Sequence, residues 1–233
     1  MLACRPVAEQ MATLVKRWQQ CADRRAIFLD CYLRMTRNML IALDAGEFHD
    51  TQWVDRLLER FAGYYFDALQ AYEQNHTLAP SVWRVAHDAA NRPDTMTLQN
   101  LMLGVNAHIN YDLVLVTVEL LREEWPHLDA TARHHRYADY TYVNQIIART
   151  IDIVQDEIIE RLSPAFGAVD ILLGRLDEWA TERLITVWRE EVWRHSIALV
   201  EAPDAGAYAV LLQTVEGVTL ERAAWIGGFG APR

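Results

Sequence analysis

The segment LMLGVNAHINYDLVLV, Leu101 to Val116, decides how this chain reads. Its leucines and valines make it apolar nearly all round, the pattern of a helix enclosed by other helices rather than one facing water. Inside that run stand Asn106, His108, Asn110, Tyr111 and Asp112. His108 and Asp112 are four positions apart, so on a helix they project from one face a turn apart. Burying an ionised carboxylate without a partner costs several kcal/mol, so these groups must meet each other, further polar groups or a metal. Gly104, one turn before His108, leaves room for another backbone or a ligand to approach.

Outward from this segment, apolar residues recur at three- and four-residue spacing and no alternating strand pattern stands out. Helix signals divide the chain. A first helix is predicted over Val7–Gln20, and a second runs from a cap at Asp23 to a stop at Gly46. Asp50 opens a third, with Trp53, Leu57, Phe61, Tyr64, Ala68 and Tyr72 as one stripe. Ser81 begins a short fourth that ends before Pro93; the fifth, from Thr95 or Thr97, reaches Glu124 and stops at Pro126. Asp129 caps a sixth that continues to Leu162, and a seventh follows Gly167 to Glu201. Two short pieces, Ala207–Val215 and Leu220–Ile226, precede the tail GGFGAPR. The expectation is one all-α domain over residues 1–233, a bundle of about seven main helices around a polar central one, with a short C-terminal extension at 203–233.

Composition narrows the function classes. Of 233 residues 22 are Lys or Arg and 32 Asp or Glu, a net charge of −10, which disfavours nucleic acid and anionic membrane as partners. The three cysteines, Cys4, Cys21 and Cys31, form no CxxC pair and have no histidines at zinc-finger spacing, which suits a reducing, cytoplasmic setting. No secretory signal is read at the start, and the longest apolar stretches, such as Leu113–Val118, are too short to span a bilayer. A nucleophile elbow, a P-loop, a GxGxxG turn, an HExxH helix and paired Glu-x-x-His motifs are missing from the sequence, so it carries no nucleotide or flavin signature.

Other polar interruptions join the first. In ADYTYVNQI, Asp139 and Asn144 flank apolar positions and are placed either to face the central helix or to remain solvated. In WREEVWRH, Glu191 and His195 are four apart, as are Glu190 and Arg194; the second pair reads as a solvated ion pair and the first as that or a metal contribution. Arg56 and Arg60 lie one turn apart with Tyr64 and Asp67 along the same side, an arrangement that holds a carboxylate or phosphate or pairs with acids of a neighbouring helix. The tryptophans, among them Trp53, Trp83, Trp188 and Trp193, read as core, although Trp beside polar groups also suits a pocket wall.

The order of FLDCYLRMTRNM, WVDRLLERFAGYYFDAL, VWRVA, LMLGVNAHINYDL, DYTYVN and WREEVWRH resembles the bacterial family catalogued as domain of unknown function 5995, across roughly Phe28 to His195. The resemblance implies an all-helical domain with motif positions at Asn106, His108, Asn110, Asp112, Asp139, Asn144, Arg189 and Trp193, and leaves the stretch from Ala202 onward outside it. Two functional expectations follow. The first is an enzyme on a small-molecule substrate, of hydrolase, lyase or cyclase type, with His108 as general acid or base, Asp112 orienting it and Asp139 as a second carboxylate. Asn106, Asn110, Asn144, Trp53, Arg56, Tyr64, Arg189 and Trp193 would bind substrate, and a divalent metal on His108 and Asp112 is a variant. The second is a non-catalytic helical protein that binds a ligand or partner and whose polar core is structural; a homo-oligomer is compatible with either.

Overall fold

The computed structural model describes residues 5–154 and 178–228, and every regular element among them is helical. The helices are α1 (Arg5–Gln20), α2 (Ala26–Asp44), α3 (Thr51–Gln74), α4 (Ser81–Ala90), α5 (Thr97–Ala107), α6 (Leu113–Glu124), α7 (Ala130–Val154), α8 (Glu178–Val200) and α9 (Ala205–Gly228). The chain is all-α. Gly46 takes a left-handed φ of 71° just past α2, a conformation that favours glycine at a helix stop. Asp50 caps α3 by accepting the Trp53 N–H at 2.9 Å, and Asp129 caps α7 through the Ala132 N–H at 2.8 Å. Pro126 falls in a 3-10 turn, Trp125–His127, which ends α6. The parts of the sixth and seventh predicted helices between 155 and 177 lie outside the described residues.

Three expectations change. The C-terminal stretch is one continuous helix, α9, rather than two pieces. Gly217 weakens it locally, but the burial of Val215, Thr219, Ala223 and Ile226 along its inner face outweighs a cost of about 1 kcal/mol. Of the adjacent tyrosines on α3, Tyr65 is the buried one, at 0% exposure, while Tyr64 is half-buried. The third concerns length. Thr97–His127 runs as one 31-residue helical stretch with a mean hydropathy of 1.3, long and apolar enough to cross a membrane by those two measures. Of its apolar window 67% is buried within the protein.

The residues group into two compact units, with three of the divisions inside α3, α5 and α8 and two between helices, at 95/96 and 127/128. The first unit comprises Met1–Glu59, Met96–Leu98 and Leu128–Val187. There α1 lays Met11, Val15 and Trp18 against α2, and Arg5 bridges to Asp44 at 2.6 Å. Asn38 on α2 donates to Thr150 on α7 at 2.8 Å. The turn between α2 and α3 is held by α7: Arg136 donates to Asp50 at 2.9 Å, and Tyr142 donates to Glu47 at 2.7 Å. Cys31 on α2 and the exposed Cys21 are free thiols, and desolvation pushes the Cys31 thiol up to about 12.

The second unit comprises Arg60–Thr95, Gln99–His127 and Trp188–Arg233. It packs the latter part of α3 with α4, α5, α6, the end of α8 and α9. Its core includes Trp83, Tyr65, Leu113, Leu121 and Leu199, each below 3% exposed. Gln99 donates its amide to the Ile226 carbonyl at 3.1 Å, satisfying an otherwise open acceptor at the end of α9.

Candidate functional site

Between α5 and α6 the helix widens into one π turn, His108–Asp112, in which the Leu113 N–H donates to the His108 carbonyl. The turn carries the candidate polar residues. His108 Nδ1 lies 3.0 Å from Asp112 Oδ2, with the two side chains 5% and 2% exposed. Trp83, from α4, donates its indole N–H to both Asp112 oxygens, at 3.1 and 2.9 Å. The Phe61 ring of α3 lies flat on the imidazole, with centroids 3.6 Å apart and planes 8° apart. Tyr65 meets that imidazole edge-on at 6.3 Å, and Trp83 is tilted against it at 6.2 Å. His87, one turn after Trp83, stacks on the Trp83 ring at 5.2 Å.

Desolvation sets the protonation of this pair. Burial holds the His108 imidazole well below its ordinary value, so it stays neutral. Burial also drives Asp112 well above the carboxylate range, with the Trp83 hydrogen bond opposing that shift. Both directions favour an uncharged pair: a carboxylic acid whose O–H donates to Nδ1 of a neutral imidazole. The aromatic walls contribute no charge that would reverse either shift.

The opposite side of the same helix carries a second network. Asn110 donates its amide to Asn106 Oδ1 at 2.9 Å and accepts Arg222 from α9 at 2.8 Å. Asn106 in turn donates to the Thr219 carbonyl at 2.9 Å. The Thr219 hydroxyl donates to the Asn110 carbonyl within the π turn at 3.2 Å and to the Val215 carbonyl at 2.8 Å. Arg222 also donates to Glu191 on α8 and lies over the Trp188 ring at 5.5 Å. Glu191 thus engages Arg222, and the half-buried His195 is lowered by desolvation against a smaller upward push from Glu191. Elsewhere in this unit Arg189 is buried, and Trp193 packs edge-on against Trp125 at 6.0 Å. Arg60 forms a fork with Glu119 at 2.7 and 3.0 Å, which also accepts the Tyr64 hydroxyl at 2.9 Å.

Asp139, Asn144, Trp53 and Arg56 belong to the first unit. Asp139 is 1% exposed, and its two oxygens accept the backbone N–H groups of His49 and Asp50 at 2.8 and 2.9 Å. It holds the chain where α3 begins. Trp53 is buried beside the Arg136 guanidinium at 5.1 Å, Arg56 is exposed and Asn144 half-buried. Among the described residues no group of three or more His, Cys, Asp or Glu is arranged to hold a metal ion.

The whole chain, compared with known families, matches a family of unknown function, DUF5995, over residues 4–227. The chain belongs to that family. The match takes in α9, so Thr219 and Arg222 lie within the DUF5995 region and the C-terminal stretch is no appendage to it. No curated protein and no solved structure matches this DUF5995 chain.

Sequence reasoning identified the helix-borne half of both networks and missed the other half. Trp83 and Phe61 carried only an apolar signature, with no sign that one would serve Asp112 and the other cover His108. Thr219 and Arg222 stood in a segment set aside as an extension. The one available signal was Arg222, the single basic residue of Ala205–Gly228, which would require an acceptor if buried.

Proposed function

We propose that this chain is a non-catalytic helical protein that acts by binding a partner, and that its polar interior is structural. The observation that carries this reading is that most of the candidate groups bond one another, although the buried His108 Nε2 makes no hydrogen bond. Asp112 takes up Trp83 and His108, while Asn110 takes up Asn106 and Arg222. Thr219 closes the π turn, and Asp139 holds two backbone N–H groups. Groups awaiting a substrate keep donors or acceptors open; here, His108 Nε2 aside, they tie α3, α4, α8 and α9 to the α5–α6 helix, or anchor a helix start. The surface supports the binding half, since Val210 and Trp225 on α9 are 63% and 64% exposed.

The test compares the wild-type protein with His108→Ala and Asp112→Asn variants in a metabolite mixture followed by mass spectrometry. The expected result is no conversion that depends on either residue, with stability changed instead. A turnover that both substitutions abolish in folded protein overturns the reading.

One observation favours a second reading. A π turn carrying a buried pair with both protonation equilibria displaced is a frequent feature of active sites. In that reading His108 is the acid or base of a hydrolase, lyase or cyclase and Asp112 orients it. Asn106 and Asn110 would hold the substrate after releasing their present partners. The metal variant requires Asp112 to leave Trp83 and further ligands to join His108. Either reading suits a reducing, cytoplasmic setting, because Cys21 and Cys31 are free.

A further inference from the structure

Helix α9 is held to its unit by fewer buried side chains than the helices beneath it. Four of its 24 residues are buried, Val215, Thr219, Ala223 and Ile226, against seven of 11 in α5 and six of 12 in α6. An element with few buried contacts opens locally at a lower free energy than the rest of its fold, which places α9 at the low end of this unit.

What fastens α9 is polar and gathers at one turn. Asn106 donates to the Thr219 carbonyl at 2.9 Å, the Thr219 hydroxyl donates to the Asn110 carbonyl at 3.2 Å, and Arg222 donates to Asn110 Oδ1 at 2.8 Å. All three bonds end on Asn106 and Asn110, buried residues just before and within the π turn. Gln99 fastens the far end through the Ile226 carbonyl. Helix α9 also packs on α4 and on the π turn, so it lies across the two elements that Trp83 and Asp112 join.

We propose that α9 is a detachable strap, which opens as a unit while the α5–α6 helix stays folded and thereby uncovers Asn106 and Asn110. Partner binding through the surface needs no such movement, so this device goes beyond that reading. Two features suit it. The first is the bed. When α9 lifts, Asn106 and Asn110 lose their bonds to it together but keep each other, because the Asn110 amide donates to Asn106 Oδ1 at 2.9 Å along the helix. The bed therefore stays arranged for the strap to return, and the open state presents one amide donor and two oxygen acceptors. The second feature is Gly217, two residues before Thr219. Its φ is not left-handed and a Cβ added there meets nothing within 4 Å, so neither backbone geometry nor packing calls for glycine. Its effect is to weaken the helix beside its own anchor.

Hydrogen exchange in the folded full chain, resolved by fragmentation mass spectrometry, tests the strap without a substitution. The central amides of α9, residues 212–223, should be at least about tenfold less protected than those of α6. Low guanidinium should accelerate exchange in α6 and barely in α9, since opening a single helix exposes little surface. Gly217→Ala should slow α9 exchange about fivefold by strengthening the helix, and Arg222→Met should speed it about tenfold by removing an anchor. Equal protection of α9 and α6 overturns the proposal, and so does a shared response to guanidinium, which would mean that the two open only together. Variants that leave α9 exchange unchanged overturn it as well, since neither the anchor nor the glycine would then govern opening. His108 and Asp112 are not involved, and the metabolite test decides their role separately.

Discussion

Replacing Asp112 by Asn tests the protonation state on which the reading of the interior depends. Asn is the neutral isostere of a protonated Asp. With its oxygen at the Oδ1 position it accepts the Trp83 N–H at 3.1 Å, and its amide, in place of Oδ2, donates to His108 Nδ1 at 3.0 Å, so a hydrogen bond to each partner is kept. In the wild-type protein the folded state holds the Asp112 proton, while the unfolded chain releases it above a pH of about 4. From there up to the folded pKa, this group alone lowers stability by about 1.4 kcal/mol per pH unit. His108 acts in the other direction. Its folded pKa is depressed, so below about 6.5 the unfolded chain binds a proton that the folded one refuses, and stability rises with pH towards that value. Between about pH 4 and 6.5 the two slopes therefore oppose each other in the wild-type protein.

The Asn variant retains only the histidine slope. Its stability relative to wild type should therefore climb by about 1.4 kcal/mol per unit from about pH 4 up to the folded pKa of Asp112. Guanidinium unfolding followed by tryptophan fluorescence at half-unit intervals gives that difference directly, and unrelated titrations cancel in the comparison. A difference that stays flat with pH, or a variant destabilised by about 3 kcal/mol or more at pH 7, refutes the neutral pair and shows that Asp112 is ionised in the fold.

Three further predictions address the scaffold. Thr219→Val removes the hydroxyl that closes the π turn onto Asn110; the expected loss is about 1–2 kcal/mol in chemical denaturation, and an unchanged midpoint would show that the contact contributes nothing. Asp139→Asn turns an amide N–H₂ towards one of the two backbone donors at the start of α3, so thermal melting should report a loss of roughly 1–3 kcal/mol. Iodoacetamide at pH 8 should label Cys21 in the folded protein and leave Cys31, whose thiol is pushed up to about 12, until denaturant is added; equal labelling counts against the burial argument.

Helix existence and type were legible because local signals repeat along the chain. Asp50, Asp129, Gly46 and Pro126 each mark an end through chemistry that depends on a few neighbouring residues. Gly217 misled for the same reason. Its weakening of a helix is a local property, whereas the burial of Val215, Thr219, Ala223 and Ile226 that offsets it is a tertiary one. Nor did any local signal disclose the π turn. One additional residue in a turn leaves the four-residue spacing of His108 and Asp112 intact in the sequence while it rotates everything downstream by about 100°.

The candidate site divides along the same line. Pairs four apart on one helix, His108 with Asp112 and Asn106 with Asn110, could be read from spacing, and both pairs are in contact. Their further partners are distant in the sequence: Trp83 lies 29 residues from Asp112, Arg222 lies 112 from Asn110, and Thr219 lies 113 from Asn106. Spacing therefore detects that polar groups are buried together but is silent on whether other parts of the fold already satisfy them. That second fact separates a site from a strut. An open acid–base pair needs an unmet donor or acceptor facing a reactant; His108 Nε2 makes no hydrogen bond but is buried, and the pair is held by an indole N–H and covered by a phenyl ring 3.6 Å away, so a reactant first has to displace those contacts. Any catalytic role for His108 must include the cost of opening that enclosure, and the pH dependence of the Asp112→Asn variant measures the protonation part of the cost.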